Sequence, residues 1–263
     1  MARFTTLYSG SSGNSAVIEE DGKYLLIDMG KSCKMTTASL QQLGLSPERM
    51  QGILVTHEHV DHVSGLKVFL KKNPVAVYSS PVTLDFLTVK DQLPVNAVLN
   101  EIGKTQQDIG GFGVTAFSTS HDAIDCQGYR IVTPKGKTFC MATDLGYLSE
   151  EVHTSVAKAD LVALESNYDP TMLHTGSYPY ALKARIAGNR GHLSNPECAE
   201  KILELAQQGC EHFCLCHLSH ENNTPFIAKQ TVVDRLDREG IEVGQDVIVQ
   251  VAKRSEVSDW MEF

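Results

Sequence analysis

The run Thr56-His57-Glu58-His59-Val60-Asp61-His62 constrains this chain more than any other stretch, because it follows the apolar segment Gly52–Val55 directly. A buried strand that ends this way carries a cluster of polar groups to the rim of a core. Four potential ligands fall within six residues, His57 to His62. His57 and His59, alternating at a strand end, can face one way, whereas Asp61 and His62 lie on the turn into a helix and can reach a second ion. Imidazole with carboxylate is a donor set for zinc, manganese or iron. As a plain polar loop, the same side chains would repel when protonated and bury unpaired polar groups. Divalent cations satisfy them.

The remaining composition sets the frame around that run. With 263 residues, 42% of them apolar, the chain can bury a full core, and one α/β domain over residues 1–263 is expected. Neither end has a charged apolar leader, and no run of about 18 apolar residues occurs, so a cytoplasmic location without a membrane span is expected. Seven cysteines without a regular framework read as reduced thiols. Cys214 and Cys216 lack the C-x₂-C spacing of a zinc knuckle and read as small core residues. A formal charge of −9 argues against a broad basic face for nucleic acid. A polyanionic substrate must be held locally, where bound cations can invert the field of an acidic protein. No obligatory protein partner is evident.

Along the chain, Arg3–Tyr8, Ala16–Glu19 and Lys23–Asp28 read as a strand meander punctuated by Gly10, Gly13 and Asp21-Gly22. Strand–helix alternation follows: a helix over Met35–Leu43, a strand over Gly52–Thr56, a helix over His62–Lys72 and a strand over Val75–Tyr78. Gly128–Thr133 and Lys137–Ala142 flank the turn Pro134-Lys135-Gly136 as a hairpin. Leu161–Glu165 and His212–Cys216 read as strands, and Asn195–Gln208 and Thr224–Glu239 as helices begun by proline. A sheet-on-sheet core flanked by helices accommodates this order.

The H-x-H-x-D-H run resembles the signature of the metallo-β-lactamase superfamily, and further elements of that pattern occur in order. Asp28 closes Leu25-Leu26-Ile27-Asp28, His121 stands in Ser118-Thr119-Ser120-His121, Asp144 ends Met141-Ala142-Thr143-Asp144 and His217 follows Leu215-Cys216. The resemblance implies a four-layer αββα sandwich of two mixed sheets flanked by helices, holding two divalent ions per chain, Zn²⁺ or Mn²⁺ with Fe possible. It implies His57, His59 and His121 on one ion, Asp61, His62 and His217 on the other, Asp144 bridging both, and Asp28 supporting the ligands from behind.

Longer stretches resemble the bacterial YycJ/WalJ/VicX-like branch, described as nucleases, over nearly the whole chain. Its marks are Ser9–Ser15, Glu165–Asp169, Tyr178-Pro179-Tyr180 with Leu182-Lys183, Gly191–Asn195, and His217-Leu218-Ser219 followed by Glu221–Pro225. Tyr168 and His220 depart from the branch pattern and receive no role. The resemblance implies a phosphodiesterase, a 5′→3′ exonuclease on duplex DNA, with DNA as substrate. Asp61 and His192 form the candidate catalytic set, with His192 as the general acid that protonates the leaving oxygen. Asn14, Asn167, Arg190 and Ser194 are candidates for contact with substrate. Ser194 and Asn195 are first of all helix caps. The glycine-rich loop around Asn14 is expected to turn backbone N–H groups toward an anion, and Lys183, Arg185 and Arg190 to form a short basic edge. Rival readings are a small-molecule phosphodiesterase, favoured by the acidic charge, another hydrolase of the same fold acting on a thioester or lactam, and a regulatory protein with a vestigial site; all ligands are present, against the last.

Overall fold

The computed structural model describes residues Met1–Phe263. The expected meander is formed by β1 (Arg3–Tyr8), β2 (Ser15–Glu20) and β3 (Lys23–Ile27), all antiparallel. Helix α1 (Cys33–Gln42) leads to β4 (Met50–Leu54); α2 (Val60–Val63) and α3 (Leu66–Leu70) lead to β5 (Val77–Ser79), and α4 (Pro81–Val89) to β6 (Leu99–Glu101). Strands β3 to β6 are parallel. The chain then lays down β7 (Gln107–Ile109), β8 (Phe112–Ser118), β9 (Gln127–Val132) and β10 (Thr138–Ala142) as antiparallel neighbours. Helix α5 (Glu150–Val156) leads to β11 (Leu161–Glu165). Helices α6 (Pro170–Thr175), α7 (Tyr180–Ile186) and α8 (Asn195–Gln207) lead to β12 (His212–Cys216), and α9 (Pro225–Asp237) to β13 (Ile248–Val251). Strands β10 to β13 are parallel, and β14 (Met261–Glu262) returns to pair with β1.

Two seven-stranded mixed sheets result, ordered β14-β1-β2-β3-β4-β5-β6 and β13-β12-β11-β10-β9-β8-β7. The period-two alternation of each strand divides the apolar side chains among three layers. Phe4, Ile18, Leu25, Phe139, Met141, Leu161, Ala163 and Cys214 meet between the sheets. Val17, Leu26 and Ile53 point the other way, against Leu40, Phe69 and Leu87 of α1, α3 and α4. On the far side, Cys140, Val162, Leu164 and Phe213 pack on Val152, Ile202 and Val232 of α5, α8 and α9. Helix, sheet, sheet, helix is the expected four-layer sandwich. All seven cysteines are free and buried, including Cys214 and Cys216, as core thiols should be.

One expected helix is broken. The stretch His62–Lys72 forms α2 and α3 with an interruption at Gly65, whose N–H donates to the Met29 carbonyl at 3.0 Å. A Cβ at Gly65 would lie 2.0 Å from the Lys31 carbonyl oxygen. The helix yields there because the loop after β3 presses against it. Strand β8, the four edge strands β6, β7, β13 and β14, helix α4 and the short helices α5 to α7 were not expected individually.

The parallel strands β3, β4, β10, β11 and β12 end on one rim, followed by Asp28, Thr56-His57, Asp144, Ser166 and His217. Open α/β sheets collect their ligands at such carboxyl ends. Asp28, Asp144 and His217 adopt left-handed backbone at φ 59°, 56° and 57°. Such conformations cost of order 1–3 kcal/mol each unless the surroundings enforce them, and they concentrate at functional sites. Here they turn each strand's last side chain inward over the rim.

Candidate metal centre

The loop after β4 delivers His57 and His59, the short α2 delivers Asp61 and His62, and the loop after β8 delivers His121. Strands β10 and β12 end at Asp144 and His217. His57, His62, His121, Asp144 and His217 are all buried. Two compact triads form, His57-His59-His121 and Asp61-His62-His217, each with its donor atoms within 4.8 Å of one another. Asp144 lies between them: Oδ1 is 3.7 Å from His121 Nε2, and Oδ2 is 3.5 Å from His62 Nε2. Such separations are too long for hydrogen bonds and match two donors sharing one ion, which tetrahedral ligands at zinc distances place roughly 3.4 Å apart.

The remaining polar contacts fix the tautomers. His57 Nδ1 lies 3.0 Å from Thr56 Oγ1, His62 Nδ1 2.7 Å from Asp28 Oδ2, His121 Nδ1 3.0 Å from the Gly191 carbonyl and His217 Nδ1 2.8 Å from Glu165 Oε1. An Nδ1–H engaged in this way leaves Nε2 as the ligand atom. Asp28 also accepts from the Thr56 N–H and hydroxyl, both at 2.8 Å, and so lies behind His62. The buried atoms His57 Nε2, Asp144 Oδ2 and His217 Nε2 have no hydrogen-bond partner in the protein. Orphaned polar atoms of this kind are rare and expensive. Converging from three elements, they fit divalent cations.

The electrostatics agree with the geometry. Burial, with His62, His121, His59 and His217 nearby, holds His57 well below its ordinary range, so it is neutral and ready to ligate. Burial also opposes charge on His62, but Asp28, Asp144 and Asp61 outweigh it and raise that imidazole to about 9. His217 is likewise pushed up, by Asp144, Asp61 and Glu165 against burial. Asp61 stays ionised despite burial because His217 and His62 face it. Protons on His62 and His217 therefore occupy the place that a cation's charge would take.

Glu165 is a candidate site residue that sequence reasoning passed over. It is fully buried at the end of β11, and its Oε1 accepts from both His192 Nδ1 and His217 Nδ1 at 2.8 Å. Its Oε2 accepts from the N–H groups of Leu145 at 3.0 Å and Leu193 at 3.1 Å. One carboxylate thus locks His192 beside the centre, where His192 Nδ1 is 4.0 Å from Asp144 Oδ1. The available signal was a carboxylate closing the wholly apolar strand Leu161–Leu164.

The four substrate candidates lie close by, with their polar groups largely engaged. Asn14 Nδ2 is 3.0 Å from His62 Nε2 and donates to Asp61 Oδ2 at 3.2 Å. The N–H groups of Gly10, Gly13 and Asn14 bond to Asn14 Oδ1, the Gly10 carbonyl and the Asp61 carbonyl. Three donors of the glycine-rich loop are thus engaged within the protein, and that of Asn14 ties the loop to Asp61. Asn167 Nδ2 donates to the His217 carbonyl at 2.7 Å, holding the backbone of a ligand. Ser194 forms a capping box with Glu197 at the head of α8. Arg190 donates to the carbonyls of His121 and Ala123 at 3.2 and 3.4 Å, and Arg185 pairs with Asp122 at 2.6 Å. The expected basic edge is therefore mostly tied to the loop that carries His121.

Comparison with known proteins fits this construction. Residues 23–218 match the family model described as the beta-lactamase superfamily domain. The exodeoxyribonuclease WalJ of Streptococcus pneumoniae is 36% identical over 248 residues, covering 93% of this chain and 91% of the relative. The exodeoxyribonuclease YycJ of Bacillus anthracis is 34% identical, covering 92% of each chain. Among solved structures, the metallo-beta-lactamase fold protein YhfI of Bacillus subtilis superposes with a TM-score of 0.72 at 16% identity, covering 98% of this chain and 100% of YhfI. Human tRNase Z, short form, superposes at 0.66 with 19% identity and 98% coverage of both chains, a likeness of fold. With its ligand-bearing strand ends in the matched region and relatives aligned almost end to end, the chain belongs to the β-lactamase superfamily, in the branch of WalJ and YycJ.

Proposed function

We propose that this protein is a dinuclear-metal-dependent phosphodiesterase that degrades DNA from an end. One observation carries the two-ion reading: Asp144 stands between the triads, with Oδ1 3.7 Å from His121 Nε2 of one and Oδ2 3.5 Å from His62 Nε2 of the other. The DNA reading rests on the names of WalJ and YycJ, both exodeoxyribonucleases, at more than a third sequence identity. Two divalent ions in these triads, Zn²⁺ or Mn²⁺ with Fe as a third option, would supply Lewis acidity to a phosphodiester.

The chain's own residues do the rest. Asp61, ionised, partly exposed and hydrogen-bonded by Asn14, can orient an attacking water. His192 stands 4.0 Å from Asp144 with Nδ1 donating to Glu165, and as an imidazolium it can give its Nε2 proton to the departing sugar oxygen. Asn167 and Arg190 keep the His217 and His121 loops in place, and Ser194 fixes the helix that follows His192. The 5′→3′ polarity on duplex DNA belongs to this reading through the family resemblance. A formal charge of −9 favours the small-phosphodiester alternative, since it leaves no broad basic face for a long polyanion.

End-labelled single- and double-stranded DNA, RNA and bis(p-nitrophenyl) phosphate, offered with Mn²⁺ or Zn²⁺, separate the readings. Stepwise shortening of duplex DNA from its 5′ end is expected. Turnover of the small ester with all polynucleotides left intact would overturn the nuclease.

A further inference from the structure

Beside the centre, helices α6 and α7 enclose a groove of about 440 Å³ lined by Tyr168, Pro170, Leu173, His174, Tyr180 and Lys183. Helix α7 and the turn that leads into it carry the Tyr178-Pro179-Tyr180 and Leu182-Lys183 marks, for which the two-ion chemistry has no use. Tyr180, at the head of α7, is 86% exposed, whereas Tyr168 is buried and forms the inner wall. Two tyrosines and the apolar side chains of Pro170, Leu173, Ala184 and Ala187 make the groove an aromatic slot. An exposed ring beside a concave apolar surface has the form of a stacking platform.

The groove is mechanically continuous with the catalytic rim. Ala184 and Ala187 of its wall flank Ile186, whose carbonyl accepts from the His192 N–H at 2.9 Å. Tyr168 pairs through its backbone with Ser194, two residues beyond His192, and its carbonyl accepts from the Asn195 N–H at 2.9 Å. The slot and His192 therefore share one rigid frame.

Charge selects the occupant. The groove lining holds one cation, Lys183, and no carboxylate, whereas Arg185 and Arg190 are engaged, with Asp122 and with the His121 and Ala123 carbonyls. Lys183 lines the groove and its Nζ donates to the His174 carbonyl at 2.7 Å, which leaves two of its three donors uncommitted. An apolar slot with a cation at its lip suits a flat heteroaromatic base with a phosphate attached.

We propose that this groove receives the unstacked base of the end nucleotide, the one whose sugar oxygen leaves under protonation by His192, with Tyr180 stacking on the base and Lys183 facing a neighbouring phosphate. The proposal rests on the nuclease reading above and names a subsite of it. Because stacking on an aromatic side chain does not depend on hydrogen-bond patterns, the slot accepts all four bases. It gives the enzyme a handle on a frayed end without a basic face.

The test compares wild type, Tyr180→Ala and Tyr180→Phe on duplexes whose end nucleotide carries a normal base or none. Tyr180→Ala is expected to lose roughly 5- to 150-fold in kcat/KM on the normal end, mostly through KM, whereas Tyr180→Phe retains the wild-type value. On the abasic end, wild type and Tyr180→Ala are expected to converge. A 2-aminopurine placed at that end, next to a slowly cut phosphorothioate linkage, should be quenched on binding to wild type and not to Tyr180→Ala. Equal losses with and without the base would overturn the slot, as would quenching that survives Tyr180→Ala. Dissociation of a dimer by Tyr180→Ala with unchanged quenching would also overturn it, by showing that a second copy covers the groove. If wild type cuts no DNA, the nuclease reading fails, and the fluorescence alone decides whether the groove takes a base.

Discussion

His192 and Glu165 share one hydrogen bond and have different duties, which makes them separable. His192→Ala leaves all seven metal donors in place, so metal content should hold while the rate on DNA falls by about 10²–10⁴-fold, the usual worth of general acid catalysis. p-Nitrophenolate departs without a proton, so the loss on bis(p-nitrophenyl) phosphate should be slight. An equal defect on both substrates would make His192 a binding or structural residue. Glu165→Gln should behave differently, because Glu165 also holds His217. A carboxamide oxygen without charge accepts less strongly from two imidazoles, so metal affinity and activity should both fall, by about 10–100-fold as is typical when a ligand's supporting partner is changed. Unchanged metal affinity would restrict Glu165 to His192. At this scale the candidate ligands His57, His59, Asp61 and His62 were legible because imidazoles and carboxylates so close in a chain have few other uses, whereas His121, Asp144 and His217 were named through the family resemblance. The duties of Asn14 and Arg190 were not, since each depends on a carbonyl or a side chain brought from a distant loop.

At the scale of elements, strands such as β11 and β12 were readable to the residue because continuous apolar runs end abruptly in Glu165 and His217. The break between α2 and α3 was invisible, because its cause is the Lys31 carbonyl, contributed by a loop more than thirty residues earlier. Helix α4 did carry a signal, Ser80 capping at Pro81, but without strong periodicity behind it. The interruption at Gly65 makes a direct prediction. Gly65→Ala should destabilise the protein by about 1–3 kcal/mol, the usual cost of forcing an atom into a packed site, even though alanine is the better helix former. An unfolding midpoint in denaturant equal to or above that of wild type would mean that α2 and α3 are separated by something other than this contact.

Over the whole molecule, the two sheets meet at a rim where buried carboxylates and imidazoles balance only if cations or protons are added. A raised imidazole binds its proton more tightly folded than unfolded. In the metal-free protein, the stability due to His62 is therefore complete below its ordinary value of 6.5 and is lost as pH rises through about 9. A divalent ion competes with that same proton, so uptake near neutral pH should release protons and strengthen as pH rises. Calorimetry in buffers of different ionisation enthalpy checks this; a heat independent of buffer would contradict it. The central claim, two ions joined through Asp144, is tested most directly by counting metal per chain in protein purified without chelator, alongside Asp144→Asn and His59→Ala. The account predicts two ions in wild type, loss from both sites together in Asp144→Asn, and mainly one site emptied in His59→Ala. One ion per wild-type chain, or equal metal in wild type and Asp144→Asn, would contradict it.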